Sequence, residues 1–299
     1  MSNQDLTKHC AVIGATGMLG RPVVRRLVQE GLVVKALVRD PEKAARVLPE
    51  AVRLVQGDLE DPESVKRFLS PGDRVYLNVA AMRPPPAFCP ERDGVPIVVK
   101  AAEEMGVERI VRLTALEMRE DSRFWLTQNM LAADESLRAG QVPWVLLRSS
   151  WAMETLETFV RGGRLWVFGR GNVGFYWVSG DDLGRLAAAA LVRDEALGKE
   201  WHCQGPEELS LREAARRYAA ARSRPVPVSE LKNVTVGLLG LFSARYRFLS
   251  RIMRDFAPSS YPFTGEETWN TLAKPSMSIE GCARYLEECG DRPRKTIPA

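Results

Sequence analysis

Apolar and polar positions along the first half of the chain switch back and forth between two periods. Short apolar or β-branched runs at 10–13, 33–38, 52–55, 75–80, 109–114 and 144–147 have the length and composition of buried strands. Between them, 20–30, 41–48, 62–69, 95–105 and 121–138 carry apolar residues at helical spacing,. Strands alternating with helices build βαβ units, so the expected product is a parallel sheet covered on both faces. The proline-rich stretch Met82–Pro90 follows the fourth strand. It predicts a stiff loop beyond that strand's carboxyl end, on the border of a ligand crevice.

After about Ser150 the pattern changes. Residues 165–168 and 175–178 read as short strands around Gly169-Arg170-Gly171-Asn172, and 181–192 as a helix with acids at its start. A further strand is expected at 201–204. A helix at 211–221 is opened by a capping box of Ser210 and Glu213,. Residues 231–256 read as helical and less regular. The expected organisation is a nucleotide-binding domain at 1–150 and a smaller lobe at 151–299, the chain partly returning to the first domain.

The chemistry concentrates at residues 11–20, Ala-Val-Ile-Gly-Ala-Thr-Gly-Met-Leu-Gly. Gly14, Gly17 and Gly20 lie three apart, straight after an apolar run and straight before an amphipathic one. Strand, glycine turn and helix form the setting of a dinucleotide fingerprint. Gly14 permits the tight turn, Gly17 lets the backbone approach a pyrophosphate, and Gly20 lets the helix pack on the strand. The helix amino end then faces the phosphates. The plain alternative is a glycine turn with no ligand.

Composition narrows the remaining classes. The 299 residues carry a formal net charge of +4 with the basic residues scattered, so nucleic-acid binding is not indicated. No run of about 18 apolar residues is present to span a membrane, and the polar first residues show no signal peptide. Five cysteines without a Cys-x-x-Cys pair predict reduced thiols and a cytoplasmic protein. Two histidines, His9 and His202, are too few for a zinc site or a histidine-based triad.

Gly14 to Gly20, Leu37-Val38-Arg39 and Gly57-Asp58-Leu59 resemble the atypical short-chain dehydrogenase/reductases, and the NmrA-like branch in particular. The likeness continues through 101–107, 145–148 and 191–210, and covers about residues 8–225. It implies an α/β fold: a Rossmann-type doubly wound parallel sheet with a smaller C-terminal α+β lobe. It also implies an NAD(P)-binding site made of Gly14, Ala15, Thr16, Gly17, Met18, Leu19, Gly20, Arg39, Asp58, Leu59 and Thr114, to which topology adds Ala80, Ala81 and Ser149 just beyond strand carboxyl ends; Ser149 stands where the family commonly has Pro. Arg39 occupies the end of the second strand, where Arg suits the 2′-phosphate of NADP(H) and an acid suits the ribose hydroxyls of NAD(H). Asp40 follows it, so the expectation is a preference for NADP(H), not exclusion of NAD(H). Arg21 agrees, because a cation in a helix's first turn opposes the dipole unless an anion is near. The plain readings are that both arginines are solvated and that Asp58 merely caps a turn after Gly57.

The resemblance also exposes an omission. Related enzymes present a Tyr and, four residues later, a Lys at the start of the helix after the fifth strand, and the Tyr protonates the nascent alkoxide. Residues 119–140 contain neither residue type, and Asn129-Met130 falls where the lysine would stand. Carbonyl reduction is therefore disfavoured. Two expectations survive: hydride transfer from NADPH to a conjugated small-molecule acceptor such as a quinone, and a non-catalytic NADP(H)-responsive regulator or assembly protein with a protein partner.

Residues just beyond the strand ends supply the remaining candidates. Thr114 and Gln128 are the catalytic candidates, the Thr114 hydroxyl either holding a carboxamide or acceptor oxygen or simply bonding the strand end. Trp151 either stacks on an aromatic acceptor or packs between the lobes. Cys89 reads as an inert loop cysteine despite Arg83 and Arg92 nearby. Residues 234–242 are strongly apolar and precede Arg245, Arg247, Arg251 and Arg254. They predict a core helix or lid, with peripheral membrane contact as the alternative. Tyr261, Phe263 and Trp269 form an aromatic group that closes the pocket or packs on the sheet domain.

Overall fold

The computed structural model describes residues 8–80, 88–116, 118–168, 173–231, 241, 243, 247–248, 250–252 and 262–290. In chain order they open with β1 (His9–Ile13), α1 (Gly20–Gln29), β2 (Val33–Val38), α2 (Pro41–Ala45), β3 (Arg53–Gln56), α3 (Pro62–Phe68) and β4 (Arg74–Leu77). A π-helical turn at Pro90–Gly94 leads into α4 (Val95–Met105), then β5 (Arg109–Ala115), α5 (Trp125–Ala139) and β6 (Trp144–Ser149). The second part holds α6 (Thr155–Thr158), β7 (Val160–Arg161), β8 (Arg164–Phe168), β9 (Gly174–Tyr176), α7 (Gly180–Val192), β10 (Lys199–Cys203), β11 (Glu208–Ser210), α8 (Leu211–Ala221) and β12 (Val228–Leu231). Two further helices follow, α9 (Glu266–Thr271) and α10 (Ile279–Glu288).

Local chemistry explains the boundaries. Asp40 and Asp61 accept backbone hydrogen bonds at the starts of α2 and α3, each with Pro in the first turn, where its missing N–H is harmless. Gly106, at φ +66°, closes α4 in the left-handed region,.

Among the described residues, seven strands form one sheet in the order β10-β6-β5-β4-β1-β2-β3, and every pairing in it is parallel. This is the doubly wound Rossmann-type α/β fold. Strand alternation divides the core cleanly. Cys10, Val12, Val34, Ala36, Val111 and Val145 face α1 and α7. Ala11, Ile13, Val75, Leu77, Ile110 and Leu146 face α3, α4 and α5. The chain order reverses between β1 and β4, so the crevice at their carboxyl ends is the expected ligand position.

The strand expected at 201–204 runs from Lys199 to Cys203 and adds itself to the central sheet beside β6. Trp201 fixes it, buried and donating its indole N–H to the Ala196 carbonyl at 3.0 Å. Beyond residue 150, two smaller sheets, β12-β8-β7 and β11-β9, and helices α8 and α10 enclose their own core of Met153, Leu156, Phe175, Trp177, Leu211, Tyr218 and Cys282. Leu231, read as the start of a helix, instead ends β12, pairing in parallel with Phe168; a β-branched and apolar tip on a partner strand overrides a helical pattern. The residues 232–240, Arg245, Arg254 and Tyr261 lie outside the described residues.

Candidate functional site

The amino-terminal turn is shaped by what a side chain would strike. Gly14 has φ +92°, and a Cβ there would sit 1.8 Å from the Asn78 carbonyl oxygen. At Gly20 a Cβ would meet the Gly14 and Ala15 carbonyl oxygens at 2.1 and 2.7 Å. Backbone cannot yield to such overlaps, so both positions require glycine. Gly17 is less confined, its virtual Cβ standing 3.3 Å from the Gly14 oxygen. Its N–H donates to that same oxygen at 3.2 Å, tightening the turn. Helix α1 then opens on Leu19 with no side-chain cap and no acid in its first turn, which leaves its positive end suited to an anion.

Around this turn lie two adjoining cavities. The first, about 430 Å³, is lined by Gly14, Thr16, Gly17, Arg39, Gly57, Asp58, Leu59, Glu60, Asn78, Val79, Ala80, Phe88 and Pro90, among others. The second, about 500 Å³, is lined by Thr16, Gly17, Met18, Arg21, Arg39, Asp40 and Lys43 with Val38, Ala44 and Val47. Thr16, Gly17, Val38 and Arg39 border both. Ala15 turns its side chain into the core and half-buried Leu19 packs against it. Ala81 lies outside the described residues. Asp58 also orders its own turn, its carboxylate accepting from the Glu60 N–H at 3.2 Å while its N–H donates to Ser64 Oγ at 3.0 Å.

The carboxyl ends of β5 and β6 are built differently. The Thr114 hydroxyl donates to Asp134 Oδ2 at 3.3 Å. Asp134 is fully buried, receives Arg112 Nε at 2.9 Å and has Arg148 Nη1 at 3.6 Å. Thr114 Oγ1 also lies 4.0 Å from Met118 Sδ, a weaker acceptor than the buried carboxylate. Ser149 donates its hydroxyl to the Ser150 carbonyl at 2.8 Å. Gln128 is exposed. The Trp151 ring packs on Phe175 and Trp177, with centroids 5.3 and 6.0 Å away. None of Thr114, Gln128, Ser149 and Trp151 borders either cavity.

At the place of the missing lysine, Asn129 is buried and donates Nδ2 to Cys89 Sγ at 3.2 Å. Burial pushes the Cys89 thiol above its ordinary pKa, so it is protonated and unreactive at neutral pH. Half-buried Ala115, Met118, Trp125, Met130, Trp151, Phe248 and Ile252 gather around buried Phe124 and Leu126. Arg251 stacks on the Phe124 ring, and Phe263 lies between Tyr176 and Trp269.

Sequence reasoning missed the Arg112–Asp134–Arg148 group. Its trace is there in retrospect: Arg112 and Thr114 share one face of β5 among apolar neighbours, and Asp134 stands beside Ala133 on the inward face of α5. Lys43 and Asn78 were missed as well, since neither carries a motif of its own. Among the described residues no group of His, Cys, Asp and Glu could hold a metal, and no helix is long and apolar enough to cross a membrane.

A parallel sheet with its switch point beneath a glycine turn, an uncapped helix start and paired cavities edged by cations define a dinucleotide-binding α/β protein. The chain belongs to the NAD(P)H-binding family, whose profile matches residues 14–194. It is 30% identical over 227 residues to an NAD(P)H azoreductase of Xenophilus azovorans, covering 72% of this chain and 74% of that protein. Over 140 residues, 46% of this chain and 43% of the relative, it is 33% identical to the photosystem II assembly factor Ycf39 of Cyanophora paradoxa. Its fold is that of the NADPH-dependent quinone oxidoreductase QOR2 of Escherichia coli complexed with NADPH. The TM-score is 0.73 at 19% identity, over 93% of this chain and 99% of that one.

Proposed function

We propose that the protein is an NADPH-dependent reductase of a small conjugated acceptor such as a quinone, acting in the cytoplasm. In this reading, residues 1–150 hold the coenzyme and 151–299 complete the acceptor side. The Gly14–Gly20 turn takes the pyrophosphate, Asp58, Leu59 and Ala80 the adenosine, and Arg39 the 2′-phosphate. Thr114 and Ser149 lie toward the nicotinamide.

One observation carries the choice of reaction. Helix α5 offers neither Tyr nor Lys, and the one hydroxyl at the end of β5 faces the buried Asp134 carboxylate and Met118 Sδ. Bound NADPH supplies a hydride. Added to an aldehyde or ketone, that hydride creates a localised alkoxide that needs a positioned acid. Added to a quinone or azo acceptor, it leaves a charge spread over the conjugated system, and water supplies the protons afterwards. The half-buried Met118, Trp125, Met130 and Trp151 suit the flat apolar faces of such molecules. The azoreductase relative supports the same class.

A second reading, a nucleotide-responsive assembly or regulatory protein, is favoured by the likeness to the photosystem II assembly factor. A panel of quinones, azo dyes, aldehydes and ketones, with NADPH oxidation followed by absorbance, separates the two. Saturable turnover restricted to conjugated acceptors is expected. Tight NADPH binding with no oxidation by any of them would establish the second reading. Efficient reduction of simple ketones would overturn the argument from the missing acid.

A further inference from the structure

Helices α1 and α7 pack side by side, and their first turns meet a carboxyl that the proposed reaction does not use. Glu154 is buried, and its Oε1 accepts the Gly180 N–H at 2.7 Å, at the start of α7. A Cβ on Gly180 would strike both Pro22 Cγ and that same oxygen, so Glu154 reaches the seam beside the first turn of α1. Arg21 of that turn borders the cavity at the glycine turn. Glu154 Oε2 has no hydrogen-bond partner among the described residues. The charged groups of the neighbouring elements are engaged elsewhere. On α7, Asp181 is held by Arg26 of α1, and Asp182 by Arg185 and two backbone N–H groups. On α10, burial keeps Cys282 protonated, and on α6 Glu157 is held by Arg222 and Tyr218. Burial, with the two aspartates adding repulsion, pushes the Glu154 carboxyl up to about 7.

We propose that Glu154 takes up a proton when the coenzyme diphosphate settles on the start of α1, so that coenzyme affinity and the protonation of this carboxyl are linked. The proposal rests on the reading of that helix end as the diphosphate site. The proton comes from solvent and returns to it when the coenzyme leaves. In a buried seam charges act over a longer range than in water. The arriving anion therefore makes an ionised, uncompensated carboxylate costlier and leaves the neutral acid as the favoured form.

Calorimetric titration of the full chain with NADPH, repeated in buffers of different ionisation enthalpy, counts the protons without any turnover. Binding at pH ~7.5 is expected to take up about half a proton, and the dissociation constant to rise about fivefold between pH ~7 and pH ~9. The coenzyme's 2′-phosphate is already largely ionised across that range and contributes little. Glu154→Gln, the neutral counterpart of the protonated acid, is expected to abolish the uptake and flatten the pH dependence. At pH ~9 it should bind NADPH at least about fivefold more tightly than the parent. A residue that only packs the seam would shift affinity equally at every pH. No net uptake by the parent, or uptake that persists in Glu154→Gln, overturns the proposal and leaves the coenzyme site intact. Infrared difference spectra of the parent decide the matter without a substitution: a protonated-carboxyl band should grow as NADPH is added, and its failure to grow overturns the proposal. No binding of NADPH by the parent overturns the coenzyme reading and this proposal with it.

Discussion

Gly14 and Asp134 differ in how far a single residue announces itself. Glycine at position 14 is legible because a strand, two further glycines and a helix surround it, and the structure supplies the cause: φ +92° with the Asn78 carbonyl where a Cβ would stand. Gly14→Ala should therefore destabilise the fold by about 2–4 kcal/mol and abolish NADPH binding. Denaturant unfolding and fluorescence titration read the two effects, and a variant with unchanged midpoint and affinity would refute the steric account. Asp134 has no such signature. It matters through partners that only the fold identifies, and a carboxylate 20 residues from Thr114 is invisible to any local pattern. Trp151 illustrates a third case, a large aromatic whose neighbours, Phe175 and Trp177, come from a later strand region.

Elements were legible where periodicity and end signals agreed. The spans expected at 33–38, 95–105 and 211–221 coincide with β2, α4 and α8, and Ser210 does accept from the Glu213 N–H, at 3.2 Å. Boundaries shifted where only a hydrophobic pattern was available: α5 begins at Trp125, not 121, after buried Phe124 and the Ser122 turn that precedes it. Helix α7 gained a role from its first turn that periodicity does not encode. Ser179 caps it, Asp181 pairs with Arg26 of α1 at 2.6 Å, and buried Asp182 accepts from the Ser276 and Met277 N–H groups at 3.0 and 2.9 Å. Asp182→Ala should cost about 3 kcal/mol, since two backbone donors and the Ser179 hydroxyl lose their acceptor. Hydrogen exchange at Ser276 and Met277 should accelerate with it. Undiminished protection at those two amides would show that the clamp is not the contact holding that segment.

The whole molecule places a carboxyl where the two cores meet. Glu154, 1% exposed, accepts from the Gly180 N–H at 2.7 Å, while its other oxygen has no hydrogen-bond partner. Burial, with Asp182 and Asp181 adding repulsion, raises its pKa from 4.5 to about 7. Between those two values the folded protein retains a proton that the unfolded chain has released, so stability falls as pH rises through the interval and levels off above about 7. The full effect is about 3 kcal/mol. Glu154→Gln removes this dependence, so its stability relative to the parent should climb by about that amount between pH ~4 and pH ~8. Urea titrations across that range provide the measurement, and a difference that stays flat with pH would discard the assignment.

Strand and helix order, the glycine turn, the position of Arg39 and the absence of a Tyr–Lys pair were determined by the amino-acid sequence alone, because each is expressed in neighbouring residues and short-range periodicity. The tertiary structure decided what distance along the chain conceals: that residues 199–203 complete the central sheet, and that the Thr114 hydroxyl faces the buried Asp134 carboxylate. Those outcomes depend on which surfaces meet after folding, and burial, hydrogen bonding and charge acquire their values only once they do.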